Sequence, residues 1–159
     1  MSHYIEIVLM KKAYEALAKN PANYIPLTPI SFLQRTADIY GEREAIIYGD
    51  RSYSWSQCIE RCLRMASSLT ELGISKGDTV AVLAFNTPEM FEAHFFVPMT
   101  GAVLNTINTR LDAETLSYIL DFGEVKAMVV DRELLPLLQS ALQKTKCNPI
   151  LILVDDETA

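Results

Sequence analysis

Phosphate-binding signatures are missing from this sequence. No GxxxxGK[ST] stretch occurs, and no GxGxxG follows a strand-like run, so neither a triphosphate cradle nor a dinucleotide fingerprint is spelled. Histidine is scarce: His3 and His94 are the two. The three cysteines, Cys58, Cys62 and Cys147, form no CxxC pair and leave no ligand set for a tetrahedral metal, so no metal site is expected. Cys58 and Cys62 stand four apart, on one face of a helix, and read as buried structural thiols in a reducing compartment. No run approaches the roughly 18 apolar residues that span a bilayer. The N-terminus has no compact hydrophobic signal core, and Asp155-Asp156-Glu157-Thr158-Ala159 carries no Ser-Lys-Leu address. Positive charge is also short, with 14 Lys and Arg against 20 Asp and Glu, a net −6 that argues against a broad nucleic-acid surface.

What is present is globular. Half of the 159 residues are hydrophobic and 21% are charged, enough for one well-buried domain or one piece of a larger protein. The chain is organised around Thr79 to Leu111. Val80 to Ala84 is too apolar for a strand with one wet face. Asn86-Thr87-Pro88-Glu89 then supplies a polar cap, a first-turn proline and an acid near the positive helix end. Met90, Ala93, His94, Val97 and Pro98 share a face, Gly101 closes the helix, and Ala102 to Leu104 is a second apolar run. Strand, helix and strand at this length make a crossover unit of a parallel sheet.

The same grammar extends in both directions. Met1 to Asn20 reads as a tail or short amphipathic helix, and residues 1–22 are set apart from an α/β part over 23–159. Thr28-Pro29 opens a helix with Phe32, Leu33, Thr36, Ala37 and Tyr40 along one side, ended by Gly41. Ala45 to Tyr48 and Ser52-Tyr53 form a hairpin about Gly49-Asp50-Arg51. Ser54-Trp55-Ser56-Gln57 is a capping-box spelling. The helix it starts carries Trp55, Cys58, Ile59, Cys62, Leu63, Ala66, Leu69 and Leu72 at core spacing, with Glu60, Arg61, Arg64 and Ser68 on other faces. Downstream, Asp112 caps a helix, Ala127 to Val130 is a strand, Leu134 to Leu142 a helix and Ile150 to Val154 a strand. Strand starts recurring about every 23 to 25 residues define a doubly wound, mostly parallel α/β architecture flanked by helices, with an N-terminal β-hairpin.

In such sheets ligands gather beyond the carboxyl ends of the strands. Those ends are Ala84 to Thr87, Asn105 to Arg110, Asp131-Arg132 and Val154-Asp155. Arg110 is the candidate anion ligand, able to hold a phosphate bidentately beside Asn108 or Thr109. The plainer alternative has Asn108 and Thr109 shaping a turn while Arg110 pairs with Asp112 or Glu114. His94 lacks a neighbouring carboxylate–serine constellation and reads as a packed histidine bonded to backbone. Tyr48, Tyr53 and Trp55 fit a hairpin–helix interface, or a platform for a base.

Several stretches resemble the plant-type acyl-activating enzymes among the AMP-forming acyl-CoA synthetases. They are Asn23 to Leu33, Ile47 to Trp55, Phe85 to Phe95 and Val97 to Asn105 with Asn108-Thr109-Arg110-Leu111-Asp112. The resemblance covers Asn20 to Ala159, the first part of such an enzyme. It implies an ATP- and magnesium-dependent acid–thiol ligase, which converts a fatty or aromatic acid to acyl-AMP and then to acyl-CoA. By the same resemblance, Arg110 matches an arginine that reaches a phosphate of coenzyme A, and no catalytic residue is carried over. The family's phosphate loop and mobile C-terminal lysine have no counterpart here, so the chain alone is expected to catalyse neither half-reaction. Cytosolic and peroxisomal locations both remain open. Two other readings stand: a truncated, non-catalytic interaction module, and a small flavodoxin-like nucleotide-binding domain.

Overall fold

The computed structural model describes residues 18–22 and 24–155. The helix expected within Met1 to Asn20 therefore lies almost wholly outside the described residues.

A parallel sheet of four strands forms the centre, in the order β4–β3–β5–β6. The strands are β3 (Thr79–Leu83), β4 (Val103–Thr106), β5 (Val125–Asp131) and β6 (Ile150–Val154). All three pairings are parallel, so every carboxyl end lies along one edge. β1 (Glu44–Tyr48) and β2 (Arg51–Ser54) make the separate antiparallel hairpin. Gly49 turns it at φ 55°, as first residue of a two-residue loop. Arg51, expected in the turn, instead opens β2 opposite Tyr48.

Among the described residues there are five α-helices: α1 (Pro29–Tyr40), α2 (Trp55–Glu71), α3 (Pro88–Met99), α4 (Ala113–Phe122) and α5 (Leu135–Leu142). The caps anticipated from sequence are made. Ser54 accepts from the Gln57 amide while the Gln57 side chain accepts from Ser54, and Thr28 and Ser31 form the same box on α1. Thr87 and Asp112 accept from first-turn amides of α3 and α4.

The strand period of two divides the interior into two cores. Val80, Val82, Ala127 and Val129 face one way, against Cys58, Cys62, Leu69, Ala93, Phe96 and Val97 of α2 and α3. Ala81, Leu83, Met128 and Val130 face the other way, against Leu116, Leu120, Leu138 and Ala141 of α4 and α5. Burial of both faces explains why β3 and β5 read as continuous apolar runs.

Among the departures from the sequence expectation are two strand boundaries and the exposed face of one helix. β4 runs two residues further, into polar Asn105 and Thr106, which an edge strand paired only to β3 tolerates. β5 begins two residues earlier and keeps exposed Lys126, whose ammonium reaches the Gly73 carbonyl and Asp78 at 2.8 Å each. On α1 only Leu33 is fully buried, while Phe32 and Tyr40 stay exposed, because that helix packs against α2 and α3 on one side alone.

Candidate functional site at the carboxyl edge of the sheet

The connections after β3, β4, β5 and β6 all emerge at the same edge. After β3 the chain turns to α3 on one face, whereas after β5 it turns to α5 on the other. The topological switch therefore lies between β3 and β5, and it is there that an open α/β sheet parts to admit a ligand.

Arg110 lies in the loop after β4. The Asn108 carboxamide oxygen accepts from the Arg110 amide at 3.0 Å, and the Asn108 carbonyl accepts from Leu111 at 3.4 Å, so Asn108 shapes the turn as expected. The surface pairing of Arg110 with Asp112 or Glu114 is not made. Among the described residues no carboxylate lies within 4.0 Å of its guanidinium. Asp112 is taken by helix capping: one oxygen accepts from the Glu114 and Thr115 amides and the other from the Thr115 hydroxyl. Those bonds hold its carboxyl below the usual range, with the Thr115 bonds the largest cause. Arg110 is left exposed with its five donors available to an anion, which fits a phosphate.

Along the same edge Asp131 is buried, with one oxygen accepting from the Glu133 amide and the other buried with no partner among the described residues. Arg132 pairs with Asp155 at 2.6 Å, bridging the ends of β5 and β6 in the open. Between the hairpin and the start of α3 lies a cleft of about 460 Å³, bordered by Ile46, Tyr48, Asn86, Thr87, Phe91 and His94. His94 does bond to backbone, through Nδ1 and the Met90 carbonyl at 3.0 Å, but it is exposed at the cleft and not packed. Its neighbours Phe91 and Phe95 stack edge to face with each other instead. Trp55 packs on the first core and Tyr53 lies beneath the Arg61 guanidinium, so these aromatics serve the hairpin–helix interface.

Two features stand outside the expectations drawn from the sequence. Gly73-Ile74-Ser75-Lys76-Gly77 spells GxSxG, a pattern not counted among the candidates above. A nucleophile elbow needs a strand-to-helix turn. Here the pattern joins α2 to β3 at the amino edge, and the Ser75 amide and hydroxyl both donate to Asp78, at 2.7 and 2.9 Å. It is a structural turn. The second feature is an ion network beneath the hairpin. Arg61, placed on an outer face by helical spacing, grips Glu92 of α3 at 2.5 and 3.0 Å and reaches Glu89 at 3.3 Å. Its sequence trace is the pair of bases Arg61 and Arg64 on α2 facing the pair of acids Glu89 and Glu92 on α3, each pair at one-turn spacing.

Residues 33–159 match the model of the family described as AMP-binding enzyme. The chain is 48% identical over 140 residues to a peroxisomal butyrate–CoA ligase of Arabidopsis thaliana, covering 85% of this chain and 24% of that protein. Against a peroxisomal trans-cinnamate:CoA ligase of Petunia hybrida the identity is 45% over 155 residues, with 89% and 27% covered. Among solved structures, an anthranilate–CoA ligase in complex with anthranoyl-AMP superposes with a TM-score of 0.78 at 22% identity, over 86% of this chain and 27% of that one. The fold is thus that of part of an adenylate-forming enzyme.

The chain belongs to the AMP-binding enzyme family. It spans about a quarter of the length of the curated relatives it matches.

Proposed function

We propose that this chain supplies the N-terminal α/β part of an acid–CoA ligase, which activates a carboxylic acid through acyl-AMP and passes the acyl group to coenzyme A. The observation that carries this reading is the 48% identity to a butyrate–CoA ligase, sustained over 140 residues. The relatives' names include both aliphatic and aromatic acids, so the substrate is stated as a fatty or aromatic carboxylic acid. Both relatives are named as peroxisomal, which supports the peroxisome, with the cytosol as the alternative place of action.

ATP with magnesium would supply the leaving group for acyl transfer, and coenzyme A the thiol. Among the described residues no group of three His, Cys, Asp or Glu side chains could hold the metal. The parts of this chain that fit a role are the exposed Arg110 fork, for a phosphate of coenzyme A, and the rigid scaffold that presents it. On this reading the 159 residues alone catalyse neither half-reaction.

Two experiments test it. The purified chain, given ATP, magnesium and a panel of acids, is expected to release no pyrophosphate above a heat-killed control; turnover overturns the inactivity. In a longer protein that carries this chain within a complete ligase, Arg110→Ala is expected to raise the KM for coenzyme A and leave adenylate formation intact. Equal loss in both half-reactions rejects the assignment of Arg110.

A further inference from the structure

Three sulfur-bearing side chains lie along one stripe of α2. Cys58, Cys62 and Met65 stand four and then three residues apart, which makes them neighbours on one face of a helix. Both thiols are 0% exposed and share the first core with Leu33 of α1 and Ala93, Phe96 and Val97 of α3. Met65 is partly buried against that core. Residues of this chain close the thiols in, so further chain would only deepen their burial. The Cys62 thiol donates to the Glu92 carbonyl at 3.8 Å, and the two thiols also bond to each other. That mutual bond holds Cys58 below the ordinary thiol value and, together with burial, pushes Cys62 above it.

A disulfide does not fit this spacing. Helical residues four apart hold their Cβ atoms about 5–6 Å apart, whereas an S–S bond needs about 3.5–4.5 Å. One atom inserted between the sulfurs spans the longer gap without unwinding α2. That atom must bind sulfur strongly and need few ligands. Two thiolates and a thioether fall short of the four ligands of structural zinc. Soft thiolate and thioether donors select Cu(I), which accepts two or three of them. We propose that Cys58, Cys62 and Met65 form a Cu(I) site, with the two thiolates as strong ligands and the Met65 thioether as the third. Binding breaks both S–H bonds, forms two copper–thiolate bonds and sends two protons to solvent. No electron moves, so no oxidant is required. The site is independent of the proposed ligase chemistry.

The test is a titration of the purified, reduced chain, in the absence of oxygen, with Cu(I) held by a chromophoric chelator. One Cu(I) per chain is expected to leave the chelator, slowly, as the closed core opens locally. X-ray absorption of the loaded parent is expected to show sulfur neighbours alone, a readout that needs no variant. Cys58→Ala and Cys62→Ala are each expected to weaken binding roughly a hundredfold, Met65→Leu roughly tenfold, and Cys147→Ala not at all. Circular dichroism checks that each variant keeps the parent's fold. No uptake by the parent overturns the proposal, as do nitrogen or oxygen neighbours at the copper. Binding that survives Cys58→Ala with Cys62→Ala, or that falls with Cys147→Ala, overturns it too. Equal affinity in Met65→Leu overturns the third ligand.

Discussion

Arg61 and Glu92, 31 residues apart, meet in a two-point contact that locks α2 to α3 beneath the hairpin. Glu92 is only 4% exposed, and burial pushes its carboxyl above the usual range even though the Arg61 guanidinium pulls the other way. The partners are unequal. Glu92 has nowhere else to turn, while Arg61 keeps Glu89, the Tyr53 ring and a path to water.

That inequality predicts the order of two substitutions. Arg61→Ala strands a buried carboxylate and is expected to cost about 2–4 kcal/mol at neutral pH, more than Glu92→Ala, in urea unfolding. Because the folded value of Glu92 is raised, its favourable contribution is present below the ordinary carboxylate range and is lost as pH rises through the folded value. The deficit of Arg61→Ala should therefore shrink as the solution is acidified, once Glu92 takes up a proton. A deficit constant with pH would show that the lost packing of Arg61, and not the stranded charge, sets the cost.

Three aspartates govern the acid limb of stability in the opposite sense. Asp78 is held below 3.8 chiefly by Lys126, Asp112 by Thr115 and Asp121 by Thr145. Their contributions are complete above that ordinary value and disappear as pH falls through the lowered folded values. Asp121 also accepts from the Lys146 and Cys147 amides, tying the approach to β6 onto α4. Asp121→Asn is expected to flatten the loss of stability at low pH and to speed amide exchange at residues 145–147.

Gly101 adopts φ 80°, and a Cβ there would stand 3.2 Å from the Lys76 Cβ. Its carbonyl accepts from the Gly77 amide, so the turn before β4 cannot relax freely. Gly101→Ala is expected to lower stability by about 1–2 kcal/mol, checked by thermal unfolding.

Arg110 should behave differently. With no carboxylate partner among the described residues, Arg110→Ala is expected to leave stability within about 0.5 kcal/mol of the parent. Neutral stability would clear the way for reading its effect on coenzyme A kinetics as a ligand effect. A cost above that range would mark a structural role.

Most elements were legible because local chemistry fixes them. Thr28, Ser54, Thr87 and Asp112 sit where helices begin, and each accepts a first-turn amide that the helix itself leaves unpaired. The apolar runs of β3 and β5 announced a sheet buried on both faces. The position of His94 was less legible, since spacing that places it beside phenylalanines does not say which side of α3 another element covers.

What the sequence determined by itself was therefore the list of elements, their caps, the doubly wound class and the family resemblance carried by Phe85 to Asp112. All of these rest on interactions within a few residues or on a repeating period. Tertiary structure alone decided that Arg61 would close on Glu92 and that His94 would border the cleft beside the hairpin. Those outcomes depend on which segments, distant along the chain, arrive at the same place, and no spacing rule encodes that.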